Sequence, residues 1–143
     1  MSRSNVWLSE RLEYIWATYF SDIKRITPIR VHFGQRAYRR LGSIILRPQL
    51  IEGKKVEVSW ITISSLLADD DIPDLVIDQV LAHELVHYVH GFGSHYPRIL
   101  HHPHQGGVIL KEFKKRGLWE LYRVYLAWIK LHWRHILRQE GQI

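Results

Sequence analysis

Five consecutive residues, His83-Glu84-Leu85-Val86-His87, carry the chemistry this chain can offer. Two imidazoles four positions apart lie on one face of a helix, near enough for both to bind one metal ion. Zn²⁺ suits such a pair, at Zn–N distances of about 2.0–2.1 Å, and it lowers the pKa of a bound water to about 7. Glu84 falls about 100° further round the helix than His83, beside the metal rather than on it. There its carboxylate can take a proton from that water, the general-base role of a His-Glu-x-x-His metalloprotease. The motif therefore predicts Zn²⁺ as cofactor, His83 and His87 as metal ligands and Glu84 as the catalytic residue.

A catalytic zinc needs a third protein ligand and an open fourth position. The chain has no cysteine, so that ligand must be His, Asp or Glu. The same absence excludes disulfides, thiolate zinc fingers and cysteine nucleophiles. Histidine is abundant: of ten in the chain, seven fall between His83 and His104. His90 shares the face of His83 and His87 but sits about 10.5 Å along the axis from His83, too far for one ion to bridge. It reads as a supporting or surface residue. A metzincin pattern needs glycine at position 90 and histidine at position 93; His90 and Gly93 reverse that order and exclude the subclass. His95, His101, His102, His104 and Glu112 remain as donors.

The elements that must position these groups are legible in outline. Asp69, Asp70 and Asp71 with Pro73 just beyond predict a helix start in which Asp caps the free N–H groups. That helix should span residues 73–90 and stop at Gly91 and Gly93. Residues 93–107, rich in His, Pro and Gly, read as a long functional loop. Upstream, Leu8, Leu12, Ile15 and Tyr19 recur at helical spacing within residues 6–23, and Pro28 ends that stretch. Three β-rich runs follow at 29–33, 42–46 and 56–63, joined through Gly34 and Gly53, which predicts a small antiparallel sheet. Helices over 108–116 and 118–138, separated by Gly117, complete a single α+β domain over residues 1–143.

This order of elements resembles the SprT-like zinc metallopeptidase family. The resemblance rests on the strand segment Arg39-Arg40-Leu41-Gly42-Ser43-Ile44-Ile45-Leu46, on Trp60-Ile61-Thr62-Ile63 with Ser64, and on the HELVH core followed by a histidine shortly before another helix. It covers most of residues 5–117, and within them His104-Gln105-Gly106-Gly107-Val108 matches the family's third-histidine segment approximately. The resemblance implies a zinc-dependent endopeptidase and orders the third ligands as His104, then His102, then Glu112. Family members hydrolyse peptide bonds, and some act on proteins crosslinked to DNA. A zinc ribbon, which some members add, would need cysteines that this chain lacks.

Length and composition set the frame. With 143 residues, 46% hydrophobic and 24% charged, the chain is ordinary globular material and not disordered or fibrous. The N-terminus, Met1-Ser2-Arg3-Ser4-Asn5-Val6-Trp7, lacks a secretory apolar core, and the longest apolar run covers only residues 124–129. The expectation is a cytoplasmic protein with no membrane partner. Net charge is +6. Lys24, Arg25, Arg30, Arg36, Arg39, Arg40 and Arg47 sit in a stretch without an acidic residue, and Arg123, Lys130, Arg134 and Arg138 form a stripe on the last helix. Trp119 projects beside that stripe, where it could stack a base. DNA is thus a second partner class besides a protein or peptide substrate, although basic stripes usually serve solubility. The rival function is a zinc-stabilised, basic DNA- or protein-binding module that does not cleave.

Overall fold

Ser4 starts the first helix: its hydroxyl accepts a hydrogen bond from the Trp7 N–H at 3.1 Å, satisfying one of the donors a helix start leaves free. In the computed structural model, which describes residues 2–143 and leaves Met1 outside, α1 runs Asn5–Tyr19. It ends short of residue 23 because the backbone turns at Phe20, whose ring is buried. Leu8, Leu12 and Ile15 face the core, where burial of each contributes about 1.5–3 kcal/mol.

The sheet comprises β1 (Ile29–Phe33), β2 (Gly42–Ile51) and β3 (Lys54–Ile63) in the order β1-β3-β2. Strands β2 and β3 form an antiparallel hairpin closed by Glu52 and Gly53, both at positive φ (51° and 77°), the two-residue turn whose twist matches the strands. Strand β1, however, pairs with β3 in parallel, so the expected antiparallel sheet is mixed. The physical reason is the crossing made by residues 34–41. Phe33 and Gly42 flank Ile63 in register, and the chain passes over the end of β3 from one edge of the sheet to the other. Strand β2 is also longer than its apolar run, because it is an edge strand and its unpaired side tolerates Pro48. Val31, Ile61 and Ile63 point into the core, while Trp60 and His32 meet edge to face on the outer side.

Helix α2 (Asp74–Val89) is the centre of the molecule, buried on nearly every side, with Val76, Ile77, Leu81 and Leu85 in the main cluster. The expected Asp caps do not form: Pro73 occupies the N-cap position and no side chain caps the helix. The carboxylates are instead turned outward to arginines from distant segments. Asp74 accepts from Arg3 at 2.6 Å, Asp78 holds Arg11 through both oxygens, and Asp69 pairs with Arg36 at 2.8 Å. The acidic cluster is thus a seam that docks the N-terminal segment, α1 and the 34–41 crossing onto α2.

Two helices follow the loop, α3 (Val108–Lys115) and α4 (Trp119–Gln139), with buried Leu118 between them. Both pack on α2. The far end of α4 is tied back to the crossing, since Glu140 accepts hydrogen bonds from Arg36 and from the Tyr38 hydroxyl. Among the described residues no helix is long and apolar enough to cross a membrane.

Candidate metal centre

Helical geometry brings His83 and His87 together: their ring centroids are 4.6 Å apart and their Nε2 atoms 3.0 Å apart. The third imidazole comes from the loop. His104 places its Nε2 3.2 Å from that of His83, and its ring centroid 4.8 Å from that of His87. One ligand atom from each of the three residues lies within 4.8 Å of the others, so the group can hold a metal ion. Four ligands at about 2.0–2.1 Å in a tetrahedron sit about 3.3 Å from one another, close to the two Nε2 separations in the structure. The donor chemistry agrees, because a proton can join only two of three converging imidazole nitrogens, whereas a cation accepts a lone pair from all three.

The loop reaches the site through a chain of local constraints. Gly91 has φ of 85°, and a Cβ there would lie 2.3 Å from the Pro97 carbonyl oxygen, so only glycine allows the chain to fold back so tightly. The Ser94 hydroxyl then donates to the Tyr88 carbonyl at 2.7 Å, and the His95 N–H donates to the Thr27 hydroxyl at 2.9 Å. Beyond His104, α3 is held against α2 by buried polar groups. His90 Nε2 meets Glu112 Oε1 at 3.1 Å, Glu112 Oε2 accepts from Arg116 Nε at 2.7 Å, and Arg116 also donates to Asp22 and to the Tyr19 carbonyl.

That network settles where the other sequence-derived donors stand. His90 is buried and supports α3, as its position along the helix implied. Glu112 is engaged by His90 and Arg116 and does not join the three histidines. His102 is exposed and likewise outside the group. His83, His87 and His104 are the residues brought together.

Glu84 is 5% exposed and packs against the edge strand, where Gly42 leaves room for it: a Cβ on Gly42 would lie 3.1 Å from Glu84 Oε2. Burial pushes its carboxyl up to about 7, against a smaller opposing pull from the Arg40 charge. Burial also lowers His83 to about 4, aided by His104, and His87 to about 3, aided by its neighbouring histidines. Both imidazoles are therefore neutral at pH 7, the form that donates a lone pair to a metal. A dication at their Nε2 atoms would favour the ionised form of Glu84.

The site opens into a cleft of about 560 Å³. One wall is the start of β2 with Arg39, Arg40 and Ile44; the loop adds Phe92 and Arg98; α4 closes the far side with Tyr122, Tyr125 and Leu126. Tyr122 and Tyr125 also pack against the core, so this wall is continuous with it. Helical periodicity reports that a side chain faces inward, and a cleft lining faces inward as much as a core does.

The fold and site thus define a class: an α+β chain that presents a three-histidine metal-binding group and a buried carboxylate at the floor of an open cleft. No family model, curated protein or solved structure matches the chain.

Proposed function

We propose that the protein is a zinc-dependent endopeptidase of the SprT-like type. The observation that carries this reading is the convergence of three imidazole Nε2 atoms beside a buried carboxylate, at the floor of a cleft entered by the free edge of a β-strand. Three neutral nitrogens suit Zn²⁺, and a group of three leaves the open position that a catalytic site requires. The rival, a binding module with a structural zinc, calls for a closed set of four ligands, and among the described residues three gather.

Zinc, when bound, supplies a Lewis acid that acidifies water and polarises a carbonyl. The remaining steps fall to this chain's own groups. The carboxylate of Glu84 takes the proton of the attacking water as its oxygen bonds the carbonyl carbon, then passes that proton to the amine nitrogen as the C–N bond breaks. The free edge of β2 offers unpaired backbone N–H and C=O groups that can align an extended peptide beside the histidines. The exposed basic stripe of α4 provides a surface for DNA, so proteins associated with DNA are included among the proposed substrates.

The test is a Glu84→Gln protein assayed on an unfolded protein substrate after loading with one equivalent of zinc. Zinc stoichiometry by elemental analysis should be unchanged and hydrolysis should fall by at least 10²-fold, within the range general-base catalysis contributes. Wild-type hydrolysis by that variant would falsify the mechanism.

A further inference from the structure

The cleft above the three histidines is strongly one-signed. It is lined by three guanidinium groups, from Arg39, Arg40 and Arg98, and by a single carboxylate, that of Glu84. Arg3, Arg11, Arg25, Arg36, Arg116 and Arg123 each meet a carboxylate, whereas Arg30, Arg47, Arg134 and Arg138 lie outside the cleft without one among the described residues. Arg39 and Arg40 form no side-chain hydrogen bond or ion pair with any described residue, and Arg98 rests only on the face of Phe92, 5.1 Å from the ring centroid. Unpaired charge held inside a concave site is a feature that selects ligands.

The positions of these groups are as informative as their number. Arg40 immediately precedes the segment whose Gly42 packs on Glu84, and its charge is felt at both Glu84 and His87. Arg98 stands on the loop side, over Phe92, whose ring lies 6.3 Å from that of His87. A chain passing through the cleft therefore meets a guanidinium from the strand side and another from the loop side of the metal-binding group. The same cleft also offers apolar surface from Ile44, Val80 and Tyr125.

We infer that the site selects acidic peptide segments, with Asp or Glu side chains flanking the scissile bond and bound by Arg40 on one side and Arg98 on the other. This rests on the peptidase reading of the same site. A peptide fits better than a nucleic acid strand, because the cleft also offers apolar surface for side chains and the β2 edge offers main-chain partners. The base-stacking platform expected at Trp119 is also taken on one face, by the Lys114 ammonium 4.6 Å from the ring centroid. A guanidinium matches a carboxylate with two parallel hydrogen bonds, so lysine would not substitute for these residues.

Two fluorogenic peptides that differ only in carrying Glu or Lys on both sides of one cleavable bond test the inference. With zinc-loaded protein, kcat/KM for the Glu peptide should exceed that for the Lys peptide by about tenfold per guanidinium–carboxylate pair, and the ratio should shrink at high salt. Arg40→Ser and Arg98→Ser should each reduce the ratio, and Arg40→Glu should reverse the preference on its side. A readout independent of turnover is the anisotropy of the labelled Glu peptide on zinc-loaded Glu84→Gln protein, with single-stranded DNA of equal charge as competitor. Binding of the Glu peptide over the Lys peptide without cleavage of either would support the acidic preference and overturn the peptidase reading. Cleavage of both peptides at one rate with equal affinity would overturn the acidic preference and leave the peptidase standing. Displacement by DNA at concentrations well below those of the Glu peptide would overturn it in favour of a nucleic acid ligand.

Discussion

Gly42 is the point where the edge strand touches the Glu84 carboxylate, and adding one methyl group there measures that contact. A Cβ on Gly42 would stand 2.7 Å from Val80 Cγ1, about 0.7 Å inside the 3.4 Å at which ordinary contact begins, and 3.1 Å from Glu84 Oε2. Val80 cannot swing away, because a β-branched residue within a helix keeps one dominant rotamer. Strand and helix must part by several tenths of an ångström. Overpacking of this kind costs about 1–3 kcal/mol, and Gly42→Ala recovers about 0.4–1 kcal/mol by restricting the unfolded chain. The net loss is roughly 0–2.6 kcal/mol. At about 2.1 cal/mol/K per residue, the unfolding entropy of 143 residues converts this to a Tm drop of up to about 9 °C. Displacement of Glu84 matters more to rate than to stability. A misplacement of about 1 Å can cost 10²-fold, so a shift of several tenths should lower kcat roughly tenfold while one zinc still binds. Gly53→Ala is the control: φ of 77° strains an alanine by about 1–2 kcal/mol, but nothing lies within 4 Å of its Cβ and the turn is remote from the cleft. Calorimetry and peptide hydrolysis on the two variants decide the matter. Wild-type Tm and kcat in Gly42→Ala, or equal losses of kcat in both variants, would refute the claim that this strand positions Glu84.

Replacement of His104 by Ala should reduce zinc bound after dialysis as severely as His87→Ala, whereas His102→Ala should leave the stoichiometry at one; the opposite pattern would move the third ligand to His102. Tyr88→Phe should lower Tm by about 3–10 °C at unchanged zinc content, because the Tyr88 hydroxyl both donates to the Thr27 carbonyl at 2.6 Å and accepts from its N–H at 3.0 Å, and buried groups left unpaired cost about 1–3 kcal/mol. In the acid range, hydrogen bonds from Arg36 and then Tyr38 hold the Glu140 carboxyl below its ordinary value of 4.5, so its stabilising effect is complete above that pH and disappears as pH falls through the lower folded value. Glu140→Gln should therefore flatten the loss of stability below pH 4.5, and an unchanged acid limb would show that the tie between α4 and the crossing contributes nothing.

What the sequence disclosed, and what it withheld, follows the range of the interactions involved. His83, Glu84 and His87 were legible because all three belong to one helix, whose geometry fixes their relations. The hairpin was legible from Gly53 between two β-rich runs. The parallel pairing of β1 was not, because it depends on where residues 34–41 carry the chain, and no local pattern encodes a crossing. The carboxylates at 69, 74 and 78 illustrate the same limit. Asp69 stood where a helix cap was expected, but its partner Arg36 lies 33 positions away, and the partners of Asp74 and Asp78, Arg3 and Arg11, lie 71 and 67 positions away. Tyr122 and Tyr125 both pack against the core and line the cleft, a division that helical periodicity cannot make.

His104 poses the harder question of how an imidazole from a loop can be placed as accurately as two from a helix. The structure answers it with a closed circuit of constraints rather than with rigidity in the loop itself. At one end the segment leaves α2 through Gly91 and is pinned to Tyr88 and Thr27 by Ser94 and His95. At the other it enters α3, which is fixed to the same helix through Glu112 and His90, the latter only three residues beyond His87. Both anchors of the loop therefore refer to α2, the element that carries His83 and His87. A displacement of α2 moves the anchors with it, and the three nitrogens keep their relation. His90, excluded from the metal by its distance along the helix, contributes to the site from that same distance, because one turn past His87 is where a tie to the next helix must be made.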